Sequence, residues 1–330
     1  MLADIREIKV NGEFIEQTPT IIPSFSSKGF PDINKIIELH SSIIAEVGVL
    51  ISAFDIAREK VKNIPEYSPF IILDSGGYEC SQFKDLSDNN TQNYRNTEWG
   101  YNELVGVLDS WDTPTTTISV SYDHPNKRCC IARQIEAAIK QFEGRKFGKL
   151  ILIKPSTENS IRIDMKELLG CIYEFRNFDI LGVTEKELGF SIFERMKNIA
   201  KIRTALANAG INIPIHVFGS LDTISTPLYF FSGADIFDGL TWLRYAYHNG
   251  MATYMQNFSA LKHGIRVNDE NIPPLIWSGN YQILLDLQIT MQRYITEKSF
   301  DAFGGVLGPF FEKSFKELEA NLFGGKNGRQ

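Results

Sequence analysis

Two stretches of this chain hold residues whose types and spacing could do chemistry. Phe70-Ile71-Ile72-Leu73-Asp74-Ser75-Gly76-Gly77-Tyr78 is an apolar run that ends on a carboxylate, turns on a glycine pair and sets a ring beside it. Ala234-Asp235-Ile236-Phe237-Asp238-Gly239 repeats the pattern much later: short apolar run, terminal Asp, then Gly. β-branched and aromatic residues in unbroken runs predict strands buried on both faces. Glycine after the carboxylate lets backbone come close to a flat or charged group. Two carboxylates in one pocket suit displacement at a sugar carbon, where one attacks the anomeric carbon and the other moves a proton. Retaining glycosidases hold such a pair about 5 Å apart. The expectation is therefore that Asp74 and Asp238 face each other across one pocket.

Positioning two strand-end carboxylates requires a scaffold whose strands all point one way. Apolar strand candidates recur near residues 20, 45, 70, 117, 150, 180, 214 and 235, separated mostly by helical patterns. Eight strands at βα spacing predict an α/β fold, a (β/α)8 TIM barrel. A doubly wound open sheet is the competing topology, but no glycine-rich dinucleotide fingerprint follows the first strand. Residues 1–17 predict a hairpin or edge piece. Helical patterns are expected at 31–40, 56–61, 101–111, 129–142, 165–175, 191–209 and 221–231. Ile43–Phe54 reads as one long apolar run ending at Asp55. Residues 79–100 are polar and predict a long loop, of the kind that forms lids or binding elements. Residues 1–265 form the barrel domain in this reading, and 266–330 a helical extension packed on it, with helices over Tyr281–Glu297 and Phe310–Leu322.

In such barrels the chemistry gathers at the C-terminal ends of the strands. Those positions hold Asp74, Asp123, Lys154, Glu185, Gly219 and Asp238. A single strand-end Asp is commonly a helix cap; several on one rim are not explained that way. Tyr78 and Phe218 place flat rings at the same level. Such rings are core by default, but two flanking one site could sandwich a planar heterocycle.

The bulk composition sets outer bounds. The chain has 330 residues, 43% apolar and 22% charged, with net charge −6, which fits a folded protein with a sizeable core and argues against a generally sticky nucleic-acid binder. Cys80, Cys129, Cys130 and Cys171 have no disulfide-framework spacing. No apolar run reaches membrane-spanning length and the first residues carry charge, so a reducing, cytoplasmic setting without a membrane partner is expected.

Taken together, Leu73-Asp74-Ser75-Gly76-Gly77-Tyr78, Ser121-Tyr122-Asp123, His216-Val217-Phe218-Gly219 and Gly233-Ala234-Asp235-Ile236-Phe237-Asp238, followed by Arg244 and Asn249-Gly250, resemble the tRNA-guanine transglycosylases. These are the base-exchange enzymes of queuosine and archaeosine synthesis, whose relatives insert 7-deazaguanines into DNA. The pieces occur in the family's order over residues 20 to 255. The resemblance implies a glycosyltransferase that replaces guanine in DNA or tRNA with a 7-deazaguanine-type base and needs no cofactor. Asp238 would be the nucleophile at C1′ and Asp74 the general acid/base. Asp123 would read the amidine-like edge of the base, with Tyr78 and Phe218 on its faces and Gly219 at the pocket floor. Arg244, Tyr245 and Tyr247 would hold the flanking nucleic acid. A homodimer or a partner subunit stays open.

The chain departs from the family in three places. The family's zinc cluster, Cys-x-Cys-x-x-Cys with a downstream His, has no counterpart, because residues 250–330 contain no cysteine and one histidine, His263; no structural zinc is expected. Lys154 stands where the family has glutamine, and Pro125 where it has cysteine. A lysine at that strand end either snorkels to solvent or turns inward to a base carbonyl, to Asp123 or to Glu185. Two other readings stay open: a non-catalytic paralogue that binds nucleic acid or a partner, and a barrel N-glycosidase that hydrolyses rather than exchanges.

Overall fold

The computed structural model describes residues 2–30, 32–80, 98–124 and 126–323. Pro125, most of the polar 79–100 stretch and the Gly324–Gln330 tail lie outside the described residues.

Eight parallel strands form the centre: β3 (Thr20–Pro23), β4 (Val49–Ser52), β5 (Ile71–Asp74), β6 (Thr117–Val120), β7 (Gly148–Ile153), β8 (Ile180–Thr184), β9 (Ile215–Phe218) and β10 (Ile236–Gly239). They pair in the order β3-β10-β9-β8-β7-β6-β5-β4. A parallel bridge between Ser24 and Leu50 joins the two ends. With helices around this closed ring, the chain is a (β/α)8 barrel. Every strand is buried on both faces, as a parallel sheet covered by helices requires. Alternation then sorts the side chains. Ile22, Leu50, Ile72, Ile118, Val120, Leu150, Leu152, Ile180 and Ile236 fill the lumen, while Ile21, Ile51, Leu73, Ile151, Val183, Val217 and Phe237 pack outward against the helices.

The N-terminal strands β1 (Glu7–Val10) and β2 (Glu13–Gln17) form an antiparallel hairpin. Its inward residues Ile8 and Val10 join the lumen cluster, so the hairpin stoppers the N-terminal end of the barrel. Asp235, just before β10, is buried there between Arg6 (2.7 Å) and Arg203, and also accepts the Ile215 amide (2.7 Å). A buried carboxylate needs such pairing to be tolerated.

The C-terminal region is helical. Ile272–Glu297 begins on two prolines that suit a first helical turn, and Gly304–Phe323 follows. An aromatic cluster attaches both to the barrel helix Ser225–Phe231: Phe231 lies 4.8 Å from Tyr294, 5.0 Å from Phe300, 5.4 Å from Phe303 and 5.7 Å from Phe311 between centroids. Gln288 accepts the Ile21 amide of β3 at 2.7 Å. Among the described residues, no helix is long and apolar enough to cross a membrane.

Three local expectations are corrected. The Ile43–Phe54 run is not one strand. Ser41–Ile44 is helical, β4 is only four residues, and Ser52 caps a short helix Ala53–Ala57 that contains Asp55. The expected helix at 56–61 is accordingly that earlier, shorter turn. The 165–175 helix ends at Gly170 and continues as a 3-10 segment, Ile172–Asn177.

Candidate active site at the barrel mouth

The site follows from the same alternation. In β5, Ile71 and Leu73 face outward and Ile72 inward, so Asp74 also faces inward. Asp74 registers with Ser52 on β4, and Asp238 with Ile22 on β3. By the same parity Lys154, Thr184 and Phe218 stand in this top layer. Both carboxylates are almost withdrawn from solvent, with Asp74 9% and Asp238 5% exposed.

Their surroundings differ. Asp238 is held by three donors: Ser24 Oγ to Oδ2 (2.7 Å), and His216 Nε2 (2.9 Å) and the Gly219 amide (3.3 Å) to Oδ1. His216 is fully buried, and its ring stacks on Phe218 at 3.9 Å and 22°. Asp74 receives only a long bond from the Gly76 amide (3.3 Å). Burial, then the nearby charges of Asp123 and Glu79, push its pKa well above the ordinary range, with Asp238 adding a smaller push. Asp238 thus has three polar partners, whereas Asp74 has one long hydrogen bond and a raised pKa.

The turn after β5 needs its glycines. Gly76 has φ +86°, and a Cβ there would meet Trp99 Nε1 at 2.7 Å, while a Cβ on Gly77 would meet Asp123 Oδ1 at 2.1 Å. This close approach lets Ser75 Oγ donate to the Asp123 carboxylate. Lys154 lies on its other side, with Nζ 3.5 Å from Asp123 Oδ2, 3.3 Å from Glu187 and 2.7 Å from Thr184 Oγ1. Lys154 therefore turns into the site rather than snorkelling outward. Its second carboxylate is Glu187 and not Glu185, which pairs with Arg195 (2.8 Å) and Tyr229 OH (2.7 Å).

Tyr78 is half-buried. Its hydroxyl accepts from Arg244 Nη2 (2.9 Å), and the Lys28 ammonium lies 4.5 Å above its ring. The Phe218 ring, stacked by His216, is buried against the lumen cluster. Gly219 is exposed with open space at its Cβ position. Tyr245 is partly exposed beside Arg244. Tyr247 does not belong with them: it is 1% exposed, its hydroxyl donates to Leu221 O (3.1 Å), and its amide donates to Asn280. The C-terminal helix covers it, so its role is packing and not contact with a nucleic acid.

Two acids escaped the sequence reading. Glu79, 2% exposed, accepts from Ser26 Oγ (2.5 Å) and Ser52 Oγ (2.8 Å); burial and then Asp55 raise its pKa to about 7. Asp55, fully buried, accepts the Ser27 amide (2.8 Å) and hydroxyl (2.5 Å), and burial leads the causes that raise it to about 6. The one sequence signal was an acid directly after Tyr78; their serine partners come from the β3 and β4 loops. Among the described residues, no group of three or more His, Cys, Asp or Glu is placed to hold a metal ion.

A scan of protein-family models and a search of the curated proteins each find no match to this chain.

Proposed function

We propose that this protein is a base-exchange transglycosylase that replaces guanine in a nucleic acid, DNA or tRNA, with a 7-deazaguanine. The observation that carries the reading is the unequal carboxylate pair, Asp238 braced by three donors and Asp74 buried with a raised pKa in the same inner layer. Such divergent environments assign base and acid roles. Asp238 attacks C1′ of the target nucleotide; the C1′–O bond forms as the C1′–N9 bond breaks. Asp74, starting protonated, supplies the proton that departing guanine requires. The incoming base gives its N9 proton to Asp74 and attacks C1′, releasing the Asp238 carboxylate. Proton and electron pairs return to their starting places, so no cofactor is consumed. Tyr78 offers a ring face to the base, Gly219 its floor, and Arg244 and Tyr245 contacts to the flanking strand. A cytoplasmic setting suits such a substrate.

The Asp123–Lys154 pair modifies the base pocket. A carboxylate already bound to an ammonium can still accept from an amidine edge, while the ammonium donates to a carbonyl. The same pair is what favours the second reading, a non-catalytic nucleic-acid-binding paralogue, since it satisfies internally the group meant for the base. Trapping decides between them. Incubation with a guanine-containing oligonucleotide followed by denaturing electrophoresis should give a covalent adduct, absent in Asp238→Ala. An intact protein that forms no adduct and exchanges no labelled guanine would refute the transglycosylase reading.

A further inference from the structure

One layer beneath the carboxylates, an imidazole stands among aliphatic side chains. Alternation along β9 sends Ile215 and Val217 outward to the helices and His216 inward. His216 registers with Ile236 on β10, two residues below Asp238, and is fully buried. Its neighbour on β8 is Gly182, where a Cβ would meet the Phe218 ring at 2.9 Å. The missing side chain lets Phe218 lie over the imidazole, at 3.9 Å between centroids and 22°.

A buried polar ring destabilises a fold unless it is hydrogen-bonded, and this one is satisfied at one nitrogen only. Nε2 lies 2.9 Å from Asp238 Oδ1, while Nδ1 is covered and has no partner among the described residues. That asymmetry selects a tautomer. Neutral imidazole has a donor at one nitrogen and an acceptor at the other, and an ionised carboxylate only accepts. A proton on Nε2 meets Oδ1. A proton on Nδ1 would lack an acceptor and would set two lone pairs against each other across 2.9 Å. The oxygens of Asp238 are then unequal. Oδ1 receives two donors on rigid supports, the clamped imidazole and the Gly219 amide, whereas Oδ2 receives the rotatable Ser24 hydroxyl. Oδ2 is the oxygen more easily freed to attack C1′, and Oδ1 keeps its donors while charge leaves and returns to the carboxylate.

We infer that His216 is a positioning residue of the second half of the exchange: its Nε2–H stays on Oδ1 and stabilises Asp238 as the leaving group. The inference rests on the transglycosylase reading and adds a residue that acts through Asp238. As the incoming base attacks, the C1′–N9 bond forms and the C1′–Oδ2 bond breaks. The bonding pair returns to the carboxylate, and no proton passes to or from His216. A donor already aimed where charge develops lowers the barrier to that departure, and its loss favours the ester over the free carboxylate. The probe is the covalent adduct on a guanine-containing oligonucleotide, reversed by added free guanine. His216→Leu, which suits the apolar layer, should raise the guanine concentration that reverses half the adduct on the order of ten-fold or more, as loss of a hydrogen bond to a charged group predicts. His216→Gln, whose amide nitrogen reaches as far along the side chain as Nε2, should return it toward the parent value. A general loosening of the site would slow formation and reversal alike and leave that concentration unmoved. An unmoved concentration in His216→Leu, or a glutamine variant no better than leucine, would overturn the inference and leave the transglycosylase reading standing. Without substrate, proton–nitrogen correlation spectra of the full chain should show His216, identified by loss of its signal in His216→Gln, protonated at Nε2. A proton on Nδ1 would overturn the inference whatever the variants do. No adduct with the unmodified protein would overturn both.

Discussion

The buried Glu79 makes a stability prediction that requires no substrate. Its carboxyl sits between Ser26 and Ser52 with its pKa raised from the ordinary 4.5 to about 7. A raised carboxyl pKa means that the folded state holds the proton more tightly than the unfolded chain. The stability that Glu79 contributes is therefore highest below about pH 4.5, falls as pH rises through 7, and is flat above. At roughly 1.4 kcal/mol per pH unit, this difference amounts to on the order of 3 kcal/mol by pH 8. Glu79→Gln removes the titrating group while retaining shape. Its amide loses one acceptor, so one serine hydroxyl must redirect, at a pH-independent cost of about 1 kcal/mol. Asp55 titrates in both proteins and contributes to both slopes. Urea unfolding at intervals from pH 4 to pH 8 measures the effect. The variant should be equal to or slightly weaker than the parent at pH 4, and more stable by about 2–3 kcal/mol at pH 8. Parallel stability curves across that range would refute the proton-holding reading of Glu79.

Four further outcomes are expected. Since Glu79 is among the charges that raise Asp74, Glu79→Gln should also shift the alkaline limb of base-exchange activity to lower pH, as measured in steady-state pH profiles. Gly77→Ala drives a methyl into the Asp123 carboxylate and should reduce exchange by about 100-fold or more, with the unfolding temperature changing far less than the rate. Asn280→Ala removes three hydrogen bonds, from the Tyr247 amide and to the carbonyls of Trp242 (2.7 Å) and Tyr245 (2.5 Å); denaturant titration should register a loss of about 2–4 kcal/mol. Arg203→Met leaves buried Asp235 with Arg6 and the Ile215 amide and should cost about 3–5 kcal/mol in the same assay.

The barrel was legible because its evidence is local and repeated. Unbroken apolar runs such as Leu150-Ile151-Leu152-Ile153 encode strands buried on both faces, and their spacing encodes the crossovers. Strand parity carried Asp74, Lys154 and Asp238 to one layer for the same reason. What stayed hidden depends on contacts between distant segments. Glu79 is functional in appearance only beside Ser26 and Ser52, which lie 53 and 27 residues away. Tyr247 has the composition of a nucleic-acid contact and becomes core only because Asn280, 33 residues later, brings a helix over it. Asp55 read as the end of a strand because Ser52, the actual cap, sits inside the apolar run. Side-chain caps and long-range covers leave little trace in hydrophobic periodicity.

The hairpin stopper at the bottom of the barrel has a kinetic consequence. With Ile8 and Val10 in the lumen, the N-terminal end of the barrel is filled among the described residues, and the layer of Asp74 and Asp238 lies toward the other end. In the proposed exchange, departing guanine and its replacement would use the same doorway, in turn, while a glycosylated Asp238 waits between them. Free guanine should therefore compete with the incoming base for one enzyme form, and double-reciprocal plots should be parallel, the signature of a two-stroke exchange through a single port.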